Sequence, residues 1–293
     1  MRTEKEMFDL ILGVANNDDR IRAVYMNGSR ANLNVPKDIF QDYDIVYVVE
    51  ETATFLEDEN WIDVFGELII KQEPCKLDKM LGIDIDFSVS YNYLMQFTDG
   101  NRIDLTILTK EAMLKSYLDD KLTIPLLDKD NCLPQIPKPS DEDYWVKKPT
   151  YEEFYCCCNE FWWVAPYTSK GLWRREIIFA MEMMNGYSRK ELRKMLSWYA
   201  GIRTDFSLSV GKKEKYLDKY LPSDVWDNFL KTYKLGDYDS TWEALITMCE
   251  LFDMVANFVS KSLGYEYNSD EANKSFEFIK HTRQLSRDAK EIY

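Results

Sequence analysis

Three aspartates carry the clearest chemical signal in this sequence. Asp42 and Asp44 flank Tyr43 at the head of an apolar run, Ile45-Val-Tyr-Val-Val49, that reads as a strand buried on both faces. Side chains alternate along a strand, so the two carboxylates share one side while Tyr43 points to the other. Carboxylates at that spacing can hold a hard, oxygen-seeking cation such as Mg²⁺. Alone the spacing says little, because Asp84-Ile-Asp86 and Asp141-Glu-Asp143 repeat it and such pairs are usually solvated surface. Context separates them. Asn27-Gly28-Ser29-Arg30 follows a strand-like Ile21–Met26 and precedes Asp42 by a short loop. Glycine there permits a tight turn and close phosphate approach. The N–H groups of a following helix start, the Ser29 hydroxyl and the Arg30 fork can cradle a triphosphate. The same residues also read as an ordinary strand-to-helix turn. Asp104 is the third element, a carboxylate inside the otherwise apolar Ile103-Asp-Leu-Thr-Ile107. A charge there is costly unless paired or bound to metal. If that strand lies beside the one headed by Asp42, all three aspartates converge.

The elements that must position these residues fall in two halves. Residues 1–138 mix helix and strand signals. Thr3-Glu-Lys-Glu6 is a capping box opening a helix that ends around Asn16-Asn17. Tyr91–Phe97 and Arg102–Leu108 flank Thr98-Asp-Gly-Asn101, a hairpin signal, and a helix over Lys110–Leu118 follows. This half reads as α/β with a mixed sheet. The proline-spaced Pro134–Pro149 reads as a linker. In residues 139–293 strand signals nearly vanish. Thr150-Tyr-Glu-Glu153, Ser188-Arg-Lys-Glu191 and Ser240-Thr-Trp-Glu243 are capping-box sequences before helical periodicity, and Gly264 suits a helix C-terminus.

Composition narrows the classes. The formal net charge is −14, which disfavours general nucleic-acid binding through lysine and arginine. It is compatible with a cationic substrate and equally with solubility alone. No apolar run approaches the roughly 20 residues that span a bilayer, and the N-terminal residues lack a secretory apolar core. No membrane role and a cytoplasmic location are expected. Three of the cysteines are consecutive, Cys156-Cys-Cys158, and the sole histidine, His281, has no cysteine pair beside it. That spacing suits neither a disulfide framework nor structural zinc.

A strand, a Gly-Ser turn, an Asp-x-Asp pair and a third carboxylate on a neighbouring strand together resemble the active-site signature of the DNA polymerase β-like nucleotidyltransferases. The resemblance extends to the aminoglycoside 6-adenylyltransferases, which modify streptomycin. Gly28-Ser-Arg-Ala-Asn-Leu-Asn-Val-Pro-Lys37 and Phe40-Gln-Asp-Tyr-Asp-Ile45 carry it first. Lys147-Lys-Pro149, Cys157-Cys-Asn-Glu-Phe-Trp162, Lys170-Gly-Leu-Trp-Arg-Arg-Glu176 and Leu208-Ser-Val-Gly-Lys212 continue it into the second half. The resemblance implies an α+β protein. A nucleotidyltransferase domain with a mixed sheet flanked by helices, residues 1–138, would precede an all-α helical bundle that binds substrate, residues 139–293.

It also implies transfer of AMP from ATP to the 6-hydroxyl of streptomycin, with release of pyrophosphate and resistance to the drug. Asp42, Asp44 and Asp104 would hold two Mg²⁺ ions, with Asp104 serving as ligand, general base or both. Gly28, Ser29 and Arg30 would meet the triphosphate. Lys170, with Arg174 and Arg175 at the start of a Ser169–Met184 helix, is a second phosphate candidate or else part of a solvated face, and Lys212 is a weaker one. Streptomycin's guanidinium groups call for carboxylates and aromatic walls. Glu160, Trp163, Trp145, Trp173, Glu182 and Asp205 are candidates, although aromatics at helical spacing also serve as core. Rival readings are AMP transfer to another aminoglycoside, a protein or an RNA end, and a non-catalytic nucleotide sensor of the same fold.

Overall fold

In the computed structural model, which describes residues 1–58, 60–234 and 236–293, the chain divides into two compact units, Met1–Asp143 and Tyr144–Tyr293. Residues 139–143 stay with the first unit. The Ser140 N–H donates to the Lys121 carbonyl, and Asp141 accepts from the side-chain amides of Asn32 and Asn34.

The first unit opens with α1 (Glu4–Asn17), started by the expected reciprocal Thr3–Glu6 capping box. After it come β1 (Ile21–Asn27), β2 (Tyr43–Val49), a short α2 (Ala53–Leu56), β3 (Leu68–Gln72), α3 (Pro74–Met80), β4 (Ser90–Phe97), β5 (Arg102–Thr109), α4 (Lys110–Ser116) and β6 (Ile124–Asp128). Among the described residues they form a six-stranded sheet in the order β3-β4-β5-β2-β1-β6. It is mixed: β2 and β5 run parallel, and the other pairs antiparallel. Beyond Asp44, β2 is apolar from Ile45 to Val49 because the sheet is covered on both faces there. Ile45, Tyr47 and Val49 join Met7 and Ile11 of α1 in one cluster, while Val46 and Val48 pack with Met113 and Tyr117 in another.

The β4–β5 hairpin forms as its sequence predicts, with Gly100 at φ 89° in the turn. Its tip is clasped by the N-terminus. Arg2 donates to Asp99 through Nε at 2.7 Å and through its backbone N–H at 3.0 Å. Those bonds, the Arg2 side chain foremost and Asn101 after it, hold the Asp99 carboxyl well below the usual carboxylate range. A lowered carboxyl pKa stabilises the fold above the unfolded value, about 3.9, and the benefit is lost as pH falls through the folded value. Asp99→Asn is therefore expected to lower Tm at neutral pH, with the gap to the parent closing below about pH 4. Equal melting temperatures at pH 7 would count against the clasp.

The second unit is helical: α5 (Tyr151–Arg174), α6 (Ile177–Glu182), a π-helical segment (Met183–Ser188), α7 (Arg189–Arg203), α8 (Ser223–Lys231), α9 (Tyr238–Leu263) and α10 (Ser269–Gln284). α5 and α9 face each other through Phe161 and Phe252, stacked with ring centroids 3.7 Å apart. Trp162 Nε1 donates to the Tyr267 hydroxyl at 2.9 Å, and that hydroxyl donates to Asp253 at 2.9 Å, so the buried polar atoms beside the stack are satisfied.

Two expected helix starts differ. Thr150 caps α5 with Glu153 as the sequence predicts. Ser188, by contrast, is buried inside a continuous helical path and makes no cap. The next residue, Arg189, is drawn inward by hydrogen bonds to Asn185 and to the hydroxyl and carbonyl of Thr232, which holds the wide π turn in register. The cap of α9 falls three residues before the expected Ser240, because Asp237 takes that place by accepting from the Ser240 N–H. Its end at Gly264, φ 72°, is as expected.

Candidate active site

The parallel pairing of β2 with β5 sets Asp44 directly beside Asp104. Asp42 lies one residue before β2, and Tyr43 between the two aspartates is buried against Phe8 of α1. The alternation read from the sequence therefore holds at the head of β2: there one face enters the core and the other presents carboxylates.

The turn after β1 is built around Asp44. Gly28, opposite this part of β2, has φ 77° and ψ −153°, a conformation essentially confined to glycine. A Cβ on Gly28 would lie 2.1 Å from Asp44 Oδ2. The backbone is thus kept clear of that carboxylate. The expected helix after Gly28 is only a single 3-10 turn, Ser29–Ala31. The chain leaves it through Asn32, whose side chain accepts from the Asn34 N–H, and then meets Pro36. A turn this short carries little helix dipole.

Arg30 has a different task from the one expected. Its Nε donates to the Asp42 carbonyl at 3.0 Å and a terminal N–H to the Gln41 carbonyl at 2.8 Å. The guanidinium sits 3.8 Å over the Tyr43 ring, with the side chain only 7% exposed. It braces the backbone that delivers Asp42 rather than presenting its fork to solvent.

The residue that sequence reasoning missed is Arg102. It stands two positions before Asp104 on the same face of β5 and grips both Asp104 oxygens, at 2.7 and 2.8 Å. Its Nε is also 3.6 Å from Asp42 Oδ2. Asp104, bonded to it, raises the guanidinium's already high pKa, with Asp42 and Asp44 adding to the effect. The available signal was Arg-x-Asp at strand spacing, which puts both side chains on one face.

The donor set suits a divalent cation in type, being all carboxylate oxygen. A guanidinium already gathers Asp104 and Asp42 around positive charge. Among the described residues no three acidic, histidine or cysteine side chains stand arranged to enclose an ion, so Arg102 would have to yield for all three aspartates to serve. The other Asp-x-Asp pairs have unrelated tasks. Asp86 accepts from the backbone and hydroxyl of Ser88, and Asp141 ties the Asn32–Asn34 loop.

A family model described as streptomycin adenylyltransferase matches residues 1–282. The chain belongs to that family. It is accordingly an enzyme of an adenylyl-transferring class. Among its relatives is an aminoglycoside 6-adenylyltransferase of Campylobacter jejuni, 43% identical over 91% of each chain. One from Staphylococcus aureus is 39% identical over 93% of this chain and 96% of its own. A crystal structure of an aminoglycoside 6-adenyltransferase from Bacillus subtilis is 33% identical, covering 97% of this chain and 100% of that one, with a TM-score of 0.48. Among the described residues no helix is long and apolar enough to cross a membrane.

In this streptomycin adenylyltransferase family member, the remaining site candidates lie in the helical unit. Glu160, Trp163, Lys170 and Arg174 follow one another along α5 at near-helical spacing, and Glu160 and Trp163 are exposed. The cationic trio Lys170, Arg174 and Arg175 closes α5 rather than opening a helix, with Arg175 at φ 64° as its C-cap. The Gly171 carbonyl accepts from the Glu176 N–H there, and the chain turns at once into α6. Trp163 and Lys170 share a groove of about 630 Å³ with Tyr167, Glu271 and Phe278. Trp173 is half-buried, its Nε1 donating to the Leu285 carbonyl at 3.3 Å, and it packs against the helical core. Trp145 precedes Val146, whose N–H donates to the Leu208 carbonyl. Asp205 occupies the tight turn after α7 at φ 50°, Glu182 is exposed at the end of α6, and Lys212 is exposed just beyond Gly211.

Proposed function

We propose that the protein moves AMP from ATP to the 6-hydroxyl of streptomycin, releasing pyrophosphate, and so disarms the drug in the cytoplasm, where ATP is supplied. The observation carrying this reading is the register that sets Asp44 beside Asp104, in a chain whose relatives are named aminoglycoside 6-adenylyltransferases.

The hydroxyl oxygen attacks the α-phosphorus while the bond to the β-phosphate oxygen breaks, and pyrophosphate leaves with that oxygen. Asp104 receives the hydroxyl proton. Asp42, Asp44 and Asp104 would hold two Mg²⁺ ions, which when bound stabilise charge on the transferring and leaving oxygens. Gly28 lets the triphosphate approach the backbone, and the Ser29 hydroxyl bonds its terminal oxygens. Arg30 fixes the Asp42 backbone, so that the carboxylate does not reorganise during reaction. Lys170 and Lys212 are assigned to phosphate binding. Glu160 is assigned to a streptomycin guanidinium, with Trp163, Trp145 and Trp173 as aromatic wall and Glu182 and Asp205 as further carboxylates.

The test is pyrophosphate release from Mg²⁺-ATP across a panel of aminoglycosides, with mass spectrometry of each product. Release with streptomycin, and a product heavier by one AMP, is the expected result. ATP binding with no release for any drug would overturn the reading. Glu160→Gln is expected to raise the streptomycin KM about tenfold, the loss of one charge-assisted pair, with little change in the KM for ATP. An unaltered streptomycin KM would remove Glu160 from the pocket.

A further inference from the structure

We propose that Arg102 is a resident counter-cation that bars the three aspartates to metal alone and yields when nucleotide arrives. The inference rests on the metal reading above and assigns to Arg102 a positioning role within it.

Three carboxylates on neighbouring positions repel one another unless positive charge lies between them. Arg102 supplies it: each Asp104 oxygen accepts a guanidinium N–H, at 2.7 and 2.8 Å, and Asp42 lies 3.6 Å from the same group. A divalent ion that takes Asp104 as a ligand must compete with this two-pronged bond. The fork is free to leave, because the Arg102 side chain is 39% exposed.

It also has somewhere to go. Arg102 pairs across the hairpin with Gln96, and Asp104 with Leu94. Arg102 and Gln96 line a groove of about 680 Å³ together with Lys71, Lys76 and Met80. A guanidinium turned from Asp104 can face that groove without burial. A polyphosphate at the aspartates offers it a new partner, since phosphate matches the planar fork as well as carboxylate does. Metal alone brings no such partner, so displacing Arg102 then gives up its two-pronged bond to Asp104 for a groove whose carboxylate, Glu73, is already held by Lys71 and the Tyr91 hydroxyl. Metal with nucleotide brings one. Occupancy by metal is in this way coupled to occupancy by nucleotide, and by reciprocity each tightens the other.

The experiment is titration of Mn²⁺, followed by electron paramagnetic resonance, into the full chain with and without a non-hydrolysable ATP analogue. The parent protein is expected to bind Mn²⁺ weakly alone and on the order of tenfold more tightly with the analogue. In Arg102→Met the lone-metal affinity rises by about that factor and the nucleotide effect shrinks toward unity. Arg102→Lys, which keeps the charge but loses the fork, falls between. Equal or weaker lone-metal binding in a folded Arg102→Met protein, with metal binding intact in the parent, overturns the proposal alone. No Mn²⁺ bound by parent or variant even with the analogue overturns the metal reading beneath it. Asp104→Asn keeps the two failures apart, since under the metal reading it weakens Mn²⁺ binding whatever Arg102 does.

Discussion

Asp42→Asn is expected to lower AMP transfer by about 10³-fold or more while the protein remains folded, because several kcal/mol of charge stabilisation at the phosphoryl group depend on the site's carboxylates. The substitution preserves size. It also preserves the backbone anchor, since Arg30 bonds the main-chain carbonyls of Gln41 and Asp42. Tyr43 stays packed on Phe8 whatever occupies position 42. Rate and stability are thus separable at this residue. The measurement is kcat for pyrophosphate release beside a thermal melt. A folded variant retaining more than about a tenth of parental turnover, within roughly 1.4 kcal/mol of barrier, would take Asp42 out of the site.

Gly28→Ala is expected to cost both rate and stability. Alanine at φ 77° and ψ −153° is strained by about 1–3 kcal/mol. The new methyl would also lie 2.1 Å from Asp44 Oδ2, so the carboxylate must swing away. Displacing a group that positions the reacting phosphate by about 1 Å costs on the order of a hundredfold. The expected result is a lower Tm with kcat/KM reduced about a hundredfold, in contrast to Asp42→Asn, where stability is largely kept. Parental kinetics in Gly28→Ala would mean that Asp44 tolerates relocation and does not act from its observed place.

The parts legible in the sequence were those whose burial wrote a pattern. β2 announces itself because both its faces are covered, and the β4–β5 hairpin because its strands alternate around a turn that needs Gly100. β3 and β6 went unread for a shared reason: both are edge strands. β3 is exposed along most of its length, so nothing imposes a period of two, and β6 contains Pro125, a residue tolerated only where the ladder has a free side. The π turn was invisible because Ser188-Arg-Lys-Glu191 reads as a fresh helix start, and only the tertiary bonds of Arg189 reveal why the helix continues. At the candidate site, the pairing of Asp44 with Asp104 and the tight turn at Gly28 could be read from residue type and spacing. Arg30 could not be assigned correctly that way, because the carbonyls it serves become neighbours only once the loop has closed. Arg102 was within reach of the strand alternation but was overlooked beside the more conspicuous acids.

The parallel pairing of β2 with β5 also bears on how the protein is made. Asp44 leaves the ribosome before its neighbour Asp104, which follows only after β3, α3 and β4 have been synthesised. An antiparallel partner could have arrived by a tight turn, whereas a parallel one needs a long crossover. The nascent chain must therefore hold β1 and β2 with one side of β2 unpaired until β5 docks, a non-local closure of the kind that slows folding. Until then the exposed edge of β2 is an apolar strand open to mispairing. Substitutions that weaken the β4–β5 hairpin should thus show first in the yield of active protein during synthesis, before they show in the stability of molecules already folded.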